Sequence, residues 1–132
     1  GVDSSEVMIE MAQENFPEQS WIQADMRHMD SGQKFQGILA WDSFFHLTQE
    51  DQRAMFSIFQ KHAEPRAALM FTSGPSHGEA IGNLFGEALY HASLAAEEYK
   101  QLLNDHGFQV IKMIAEDAEC AGHTVWLAQK ID

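Results

Sequence analysis

The chain contains a single cysteine, Cys120. A lone thiol excludes an internal disulfide framework and fits a reducing compartment. Positive charge is also scarce, with eight Lys and Arg against twenty Asp and Glu and a formal net charge of −12. Nucleic-acid binders rely on basic side chains to displace counterions from phosphates, so no nucleic-acid partner is expected. The acidity itself reads as solubility. Apolar runs such as Ala67-Ala68-Leu69-Met70-Phe71 are far too short to cross a bilayer, and no basic-then-apolar leader opens the chain. These absences predict a soluble cytoplasmic protein with no membrane partner. What remains is a 132-residue chain that is 45% hydrophobic, enough for one compact domain with a buried core. It has no internal repeat, low-complexity run or evident linker.

Hydrophobic spacing and turn chemistry place the elements. Gly1-Val2-Asp3 reads as the end of a strand. Ser4 or Ser5 is a natural N-cap for a helix carrying Val7, Met8, Met11 and Ala12 at helical spacing and closed by Pro17. Residues 20–24 form a strand candidate ending at Asp25, and residues 35–41 form a better one. Thr48 caps the next helix, with Glu50 and Asp51 in its first turn and Met55, Ile58, Phe59 and His62 on one face. Pro65 stops that helix. Ala67 to Thr72 is an apolar strand ended by Ser73-Gly74-Pro75. The glycine-punctuated stretch from His77 to Ala92 is expected to be helical in part. Ser93 is expected to cap a further helix with Tyr99, Leu102 and Leu103 inward and Gly107 as its left-handed stop. Phe108–Ala115 and His123–Gln129 read as a hairpin. Helices alternating with strands predict an α/β fold: a mostly parallel sheet covered by helices on both faces, with an antiparallel pair at the end.

In such folds ligands bind at the carboxyl ends of the strands. Asp3, Asp25 and the cluster Trp41-Asp42-Ser43-Phe44-Phe45-His46 occupy those positions. A carboxylate at a strand end can accept both hydroxyls of a ribose, and a second one nearby can accept from an adenine amino group. Each aspartate taken singly is equally a cap of the following loop or helix. Val2, Met8 and Met26 offer apolar flanks for a purine. Other chemistries have weaker signals. Asp42, Ser43 and His46 are the residue types of a hydrolase triad, but no Gly-x-Ser-x-Gly elbow is present. The seven histidines show no His-Glu-x-x-His or Cys-x-x-Cys spacing, so no metal is expected. Ser73 to Gly78 follows a strand as a phosphate loop does, yet it lacks a lysine and reads as a turn.

Taken in order, these residues resemble class I S-adenosylmethionine-dependent methyltransferases. Gly1-Val2-Asp3-Ser4-Ser5-x-x-Met8-Ile9-x-x-Ala12 is similar to the second strand and following helix of that family. Ala24-Asp25-Met26-Arg27 resembles the end of its third strand, and Phe35 to Leu47 its fourth strand and the loop beside the reactive methyl group. Leu69 to Gly74 is similar to the fifth strand, and Tyr99-x-x-Leu102-Leu103-x-x-x-Gly107-Phe108 to the passage before the final hairpin. The resemblance implies a three-layer Rossmann-like domain over residues 1–132. It implies S-adenosylmethionine as cofactor, with Asp3 at the ribose and Asp25 at the adenine amino group. Met26 would flank the adenine, and Ala40, Trp41 and Phe44 would lie near the methionine end. Tyr90, His91 and Ser93 fall where the family often contacts a small-molecule acceptor. His46 and His91 are the candidates for an optional general base.

The family's first strand and its Gly-x-Gly-x-Gly turn, which allow close backbone approach to the cofactor, have no counterpart among these residues. The expectation that follows is a domain truncated at its N-terminus, with an opened sheet edge that a partner or a longer precursor completes or that a homo-oligomer buries. A non-catalytic binding or oligomeric module is the alternative.

Overall fold

The computed structural model describes all residues, 1–132. Its contacts divide the chain into two compact units, residues 1–31 and 32–132. No helix is long and apolar enough to cross a membrane.

The first unit is a small βαβ arrangement. Strand β1 (Val2–Asp3) leads into helix α1 (Glu6–Asn15) and then strand β2 (Ile22–Gln23), and the two strands run parallel with Val2 opposite Ile22 and Asp3 opposite Gln23. Ser5 is the N-cap of α1, its hydroxyl accepting the Met8 N–H at 3.3 Å, and Glu6 adds favourable charge in the first turn. The helix ends at Asn15, two residues before Pro17, and the Phe16 N–H still reaches Ala12 O at 2.8 Å. Its apolar spacing yields the helix, but Ile9 is its only buried residue, while Val7, Met8 and Met11 are 63%, 52% and 50% exposed. Strands two residues long present too narrow a surface to cover a whole apolar stripe. Strand β2 occupies only two of the five positions expected for it.

The second unit is built on a four-stranded sheet ordered β3-β4-β8-β7. Strand β3 (Phe35–Ala40) pairs parallel with β4 (Ala63–Ser73), and helix α2 (Gln49–His62) provides the crossover. Strands β7 (Phe108–Asp117) and β8 (His123–Lys130) form the terminal hairpin, and β8 inserts antiparallel between β4 and β7. Thr48 caps α2 by accepting the Asp51 N–H at 3.1 Å. The helix stops at His62, and β4 begins at the next residue rather than after Pro65. Pro65 and Arg66 lie within a register shift of β4, with Arg66 at φ 66°, which is where a sheet tolerates a residue lacking an N–H.

Two expectations are corrected here. Residues 78–93 are not helical but form a hairpin of β5 (Gly78–Leu84) and β6 (Glu87–Ser93), turned by Phe85 and Gly86 at φ 52° and 86°. Two consecutive left-handed residues are the requirement of a type I′ turn, whose twist matches that of paired strands. Ser93 ends β6 and does not cap helix α3 (Ala96–Asp105), whose N-cap position is Ala95 with no side-chain bond. Tyr99 and Leu103 of α3 are fully buried, and Gly107 adopts φ 80° after the helix.

The core of this unit is aromatic. Phe71 of β4 stacks on its register partner Trp126 of β8 with centroids 5.8 Å apart and planes 6° apart. Phe44, Phe56 and Tyr99 surround Phe71, and all five rings are at most 1% exposed. One buried polar chain crosses this core. The Tyr99 hydroxyl donates to Gln52 Oε1 at 2.6 Å and accepts the Leu94 N–H at 3.0 Å, while Gln52 Nε2 donates to Leu47 O and Ala92 O. No buried side-chain polar atom is left without a partner, so this network holds the end of β6 against α2 without an unsatisfied group.

Candidate functional site

In the first unit the parallel register puts two carboxylates at the ends of neighbouring strands. Asp3 is the last residue of β1, and its carbonyl accepts the N–H of Ala24, the residue before Asp25. Asp3 Oδ1 accepts the Ser5 N–H at 2.8 Å, and Asp25 Oδ1 accepts the Arg27 N–H at 2.9 Å, so both aspartates do cap the chain that follows them. Asp25 also receives the Arg27 guanidinium, Nε at 3.1 Å from each oxygen and an Nη at 2.6 Å from Oδ2. These bonds, the side-chain ones first, lower its pKa from 3.8 to about 2. Met26 opens the short 3-10 turn after Asp25 and is not buried. The acceptor-only character of the two carboxylates fits the hydroxyls and exocyclic amine of an adenosine. The Asp25–Arg27 pair is solvent-exposed on both sides, which makes it weak and exchangeable.

In the second unit one end of the sheet gathers the remaining candidates. The carboxyl ends of β3 and β4 and the start of β8 come together there, with Ala40 opposite Phe71 and Ser73 opposite Thr124. Ala40 is buried and Trp41 is 39% exposed, its indole edge-on to the His123 ring at 6.4 Å. Phe44, expected near the methionine end, is at 0% exposure and packs its ring in the aromatic core. Its neighbour Phe45 instead borders a cavity of about 380 Å³, together with residues 73–80, His91, Ala92, Ser93, Gly122 and His123.

Three imidazoles pack around Phe45, with centroid distances of 4.7 Å for His46, 5.3 Å for His91 and 5.8 Å for His123. His46 Nδ1 lies 3.0 Å from Tyr90 O, and His91 Nδ1 lies 3.0 Å from Leu89 O. A carbonyl only accepts, so both rings carry hydrogen on Nδ1, and in the neutral ring Nε2 keeps a lone pair. His91 has room beside it because residue 82 is glycine; a Cβ there would stand 3.2 Å from its Cε1. Ser93 lines the cavity, but its hydroxyl is occupied by bonds to Gly74 O and Leu94 O. The Tyr90 hydroxyl donates to Glu79; burial first, and then this bond, raise its pKa.

Asp42, immediately after β3, does not join Ser43 and His46 in a triad. Its carboxylate sits 3.1 Å from His123 Nε2, and its backbone adopts φ 50° while its N–H donates to the buried Thr72 hydroxyl at 2.9 Å. A left-handed non-glycine residue held by such a bond is a strained one, stabilised by its surroundings. Sequence reasoning passed over His123, His77 and Glu79. His123 had one usable signal: as the first residue of a strand antiparallel to β4, it must lie beside the carboxyl end of β4. The Cys120 thiol is pushed up by burial and by Asp117, which disfavours the nucleophilic thiolate. No group of three or more His, Cys, Asp or Glu is arranged to hold a metal ion.

The geometry can be compared with known proteins. No curated protein matches the chain. Solved structures do, at identities that speak to fold alone. An S-adenosylmethionine-dependent methyltransferase from Clostridium acetobutylicum superimposes with a TM-score of 0.79 at 12% identity, covering 97% of this chain and 73% of that one. A protein from Listeria monocytogenes described as an S-adenosylmethionine-dependent methyltransferase gives 0.80 at 14% identity, covering 100% and 79%. An amino pentose methyltransferase from Micromonospora echinaspora, solved with S-adenosylmethionine bound, gives 0.76 at 14% identity, covering 98% and 72%. A family model described as a methyltransferase domain matches residues 1–66, half of the sequence. The chain therefore belongs to the methyltransferase-domain family and carries the Rossmann-like α/β fold of class I S-adenosylmethionine-dependent methyltransferases.

Proposed function

We propose that this chain takes part in methyl transfer from S-adenosylmethionine to a small-molecule acceptor. The observation that carries the reading is the pair of carboxylates, Asp3 and Asp25, at the ends of two adjacent parallel strands. Asp3 would accept the ribose hydroxyls. Asp25 would accept the adenine amino group after exchanging part of its bonding to Arg27, with Met26 against the purine. When bound, the cofactor supplies a methyl group on a sulfonium, an electrophile that needs in-line approach and exclusion of water more than protein acid–base chemistry. Tyr90, His91 and Ser93 belong to the acceptor side, with His46 and His91 as proton acceptors of last resort. The negative charge of the chain supports a small acceptor over a nucleic acid.

Calorimetric titration with S-adenosylhomocysteine tests the reading. Micromolar binding by the wild type, weakened at least about tenfold in Asp3→Ala, is expected, since each tenfold is about 1.4 kcal/mol and a charged hydrogen bond contributes that much. A folded chain that shows no heat at millimolar ligand overturns it.

A specific observation supports a second reading alongside the first. Strand β3 lies at the edge of its sheet, and its Phe35 and Leu39 side chains are 40% and 66% exposed. An unpaired apolar edge invites another strand, so a homo-oligomer burying β3, with a binding rather than catalytic role, is the alternative. A monomer throughout a sedimentation series from micromolar to millimolar chain rules that alternative out.

A further inference from the structure

Strands β5 and β6 form a two-stranded sheet of their own, and its two edges differ. The two-residue turn at Phe85 and Gly86 makes Leu84 and Glu87 a hydrogen-bonded pair, and the pairing alternates from there. Residues 80, 82 and 84 thus turn their backbone groups toward β6, while Glu79, Ile81 and Asn83 turn theirs away. On β6 the outward groups belong to Ala88, Tyr90 and Ala92. There the rest of the chain supplies donors: His46 Nδ1 lies 3.0 Å from Tyr90 O, and Gln52 Nε2 lies 2.8 Å from Ala92 O. On β5 no group of the chain meets the outward N–H and C=O of Glu79, Ile81 or Asn83. This edge also lacks the features that guard an edge strand. It runs without a register shift or a proline, and no residue from Ala80 to Leu84 is charged. Strand β7, an edge of the four-stranded sheet, is guarded by two register shifts and Lys112. Ile81, at the middle of the open edge, is 76% exposed.

We infer that β5 pairs antiparallel with β5 of a second copy of this chain, about a twofold axis at Ile81, to make one four-stranded sheet. The outward groups fix the register. A twofold axis sets one residue opposite itself, and only an axis at Ile81 gives the outward groups of Glu79, Ile81 and Asn83 partners together. Ile81 then faces Ile81 of the partner subunit, and Glu79 faces Asn83 of the partner subunit. An acid stands opposite an amide at both symmetric positions, and nowhere opposite another acid. Charge selects this strip for a second copy. Each chain has a formal net charge of −12, so two copies repel over most of their surface, and the uncharged run from Ala80 to Leu84 is where they can meet. Pairing also relieves a weakness of the hairpin, since two strands alone are marginal in water and further strands stabilise them. The contact is small beside the roughly 1,200–2,000 Å² of a standard interface, so the dimer is weak and concentration-dependent. This surface needs neither the methyltransferase reading nor the β3 edge.

Sedimentation of the full chain from about 10 μM to about 1 mM reads the association, a range that brackets a weak dimer. A dimer that tightens with added salt is expected, because salt screens the repulsion between copies and the paired strip holds no ion pair. Asn83→Asp sets a second carboxylate opposite Glu79 at both symmetric positions. Its oxygen still accepts the Gly86 N–H that Asn83 Oδ1 accepts at 2.9 Å, so the turn is kept. That variant is expected to weaken the dimer about fivefold to tenfold. Adding Glu79→Lys to Asn83→Asp makes both positions opposite-charge pairs and is expected to restore association to the wild-type level or beyond. Leu39→Lys, on β3, is expected to leave the dimer unchanged. A chain that stays monomeric over the whole range overturns the inference and leaves the β5 edge to a peptide of another protein. A dimer that Leu39→Lys dissolves and Asn83→Asp leaves intact overturns it in favour of the β3 edge. A dimer that salt weakens, or a folded double variant no tighter than Asn83→Asp, overturns it as well.

Discussion

Replacing Tyr99 by Phe tests how the acceptor end of the sheet is held together. The ring stays in its aromatic packing, so little apolar burial changes. Removal of the hydroxyl leaves two buried groups without their partners: the Leu94 N–H, bonded at 3.0 Å, and Gln52 Oε1, bonded at 2.6 Å. Each unsatisfied buried group costs about 1–3 kcal/mol. The Ser93 hydroxyl lies 3.4 Å from the tyrosine oxygen and already donates elsewhere, so it relieves the loss only in part. A destabilisation of about 2–4 kcal/mol is expected. In urea the midpoint falls while m stays constant, and the melting temperature drops by roughly 6–15 °C for a chain of this length. The partner variant Gln52→Leu additionally orphans Leu47 O and Ala92 O. If orphaned groups cause the loss, the double variant must be less destabilised than the sum of the two by about 1 kcal/mol or more, because the shared bond is lost only once. Amide exchange at Leu94 should accelerate selectively in Tyr99→Phe. A loss under about 1 kcal/mol, or strict additivity in the double variant, would refute this reasoning.

Three further outcomes follow from local chemistry. Phe85 occupies a left-handed turn position at 97% exposure, so Phe85→Asn should stabilise the β5–β6 hairpin by about 0.5–1 kcal/mol, read as a rise in melting temperature; a fall would mean that the ring packs on something. A Cβ at Gly74 would meet Ser93 Cβ at 2.8 Å, so Gly74→Ala should destabilise by about 1–3 kcal/mol in urea, and an unchanged midpoint would contradict the packing. Asp25 is held at about 2 against its ordinary 3.8, so its pairing stabilises the fold above pH 3.8 and is lost as pH falls through 2. Arg27→Ala should move the carboxyl titration, followed by carbon NMR, upward toward 3.8; an unmoved midpoint would remove Arg27 as the cause.

Much of the architecture is local and therefore legible. Ser5 and Thr48 cap their helices as their side-chain oxygens suggest, and apolar periodicity locates α2, α3 and the last hairpin. Placing Asp3 and Asp25 at strand ends needed no more than the turn signals that follow them. Misreadings arise where a local signal is shared by two structures. The glycines from 74 to 86 punctuate a helix or a hairpin equally well, and the pairing of Ile81 with Tyr90 decides for the hairpin. Pro65 stops a helix, but it also fits the bulge of a strand, and the sheet register decides that. Phe44 and Phe45 are identical in type and adjacent. Only the packing of α2 and β4 commits the first ring to the core and leaves the second at the cavity.

By itself, then, the sequence determined most element types outside residues 78–93, the α/β class, the acidic and cation-poor composition, and the aspartates at the ends of β1 and β2. These depend on spacing, capping and side-chain type within a few residues. Tertiary structure alone decided that Asp42 meets His123, 81 positions away, that three imidazoles surround Phe45, and that Gln52 and Tyr99 share a buried bond. Such meetings depend on strand order and register, because a shift of one residue along a strand turns every side chain to the opposite face.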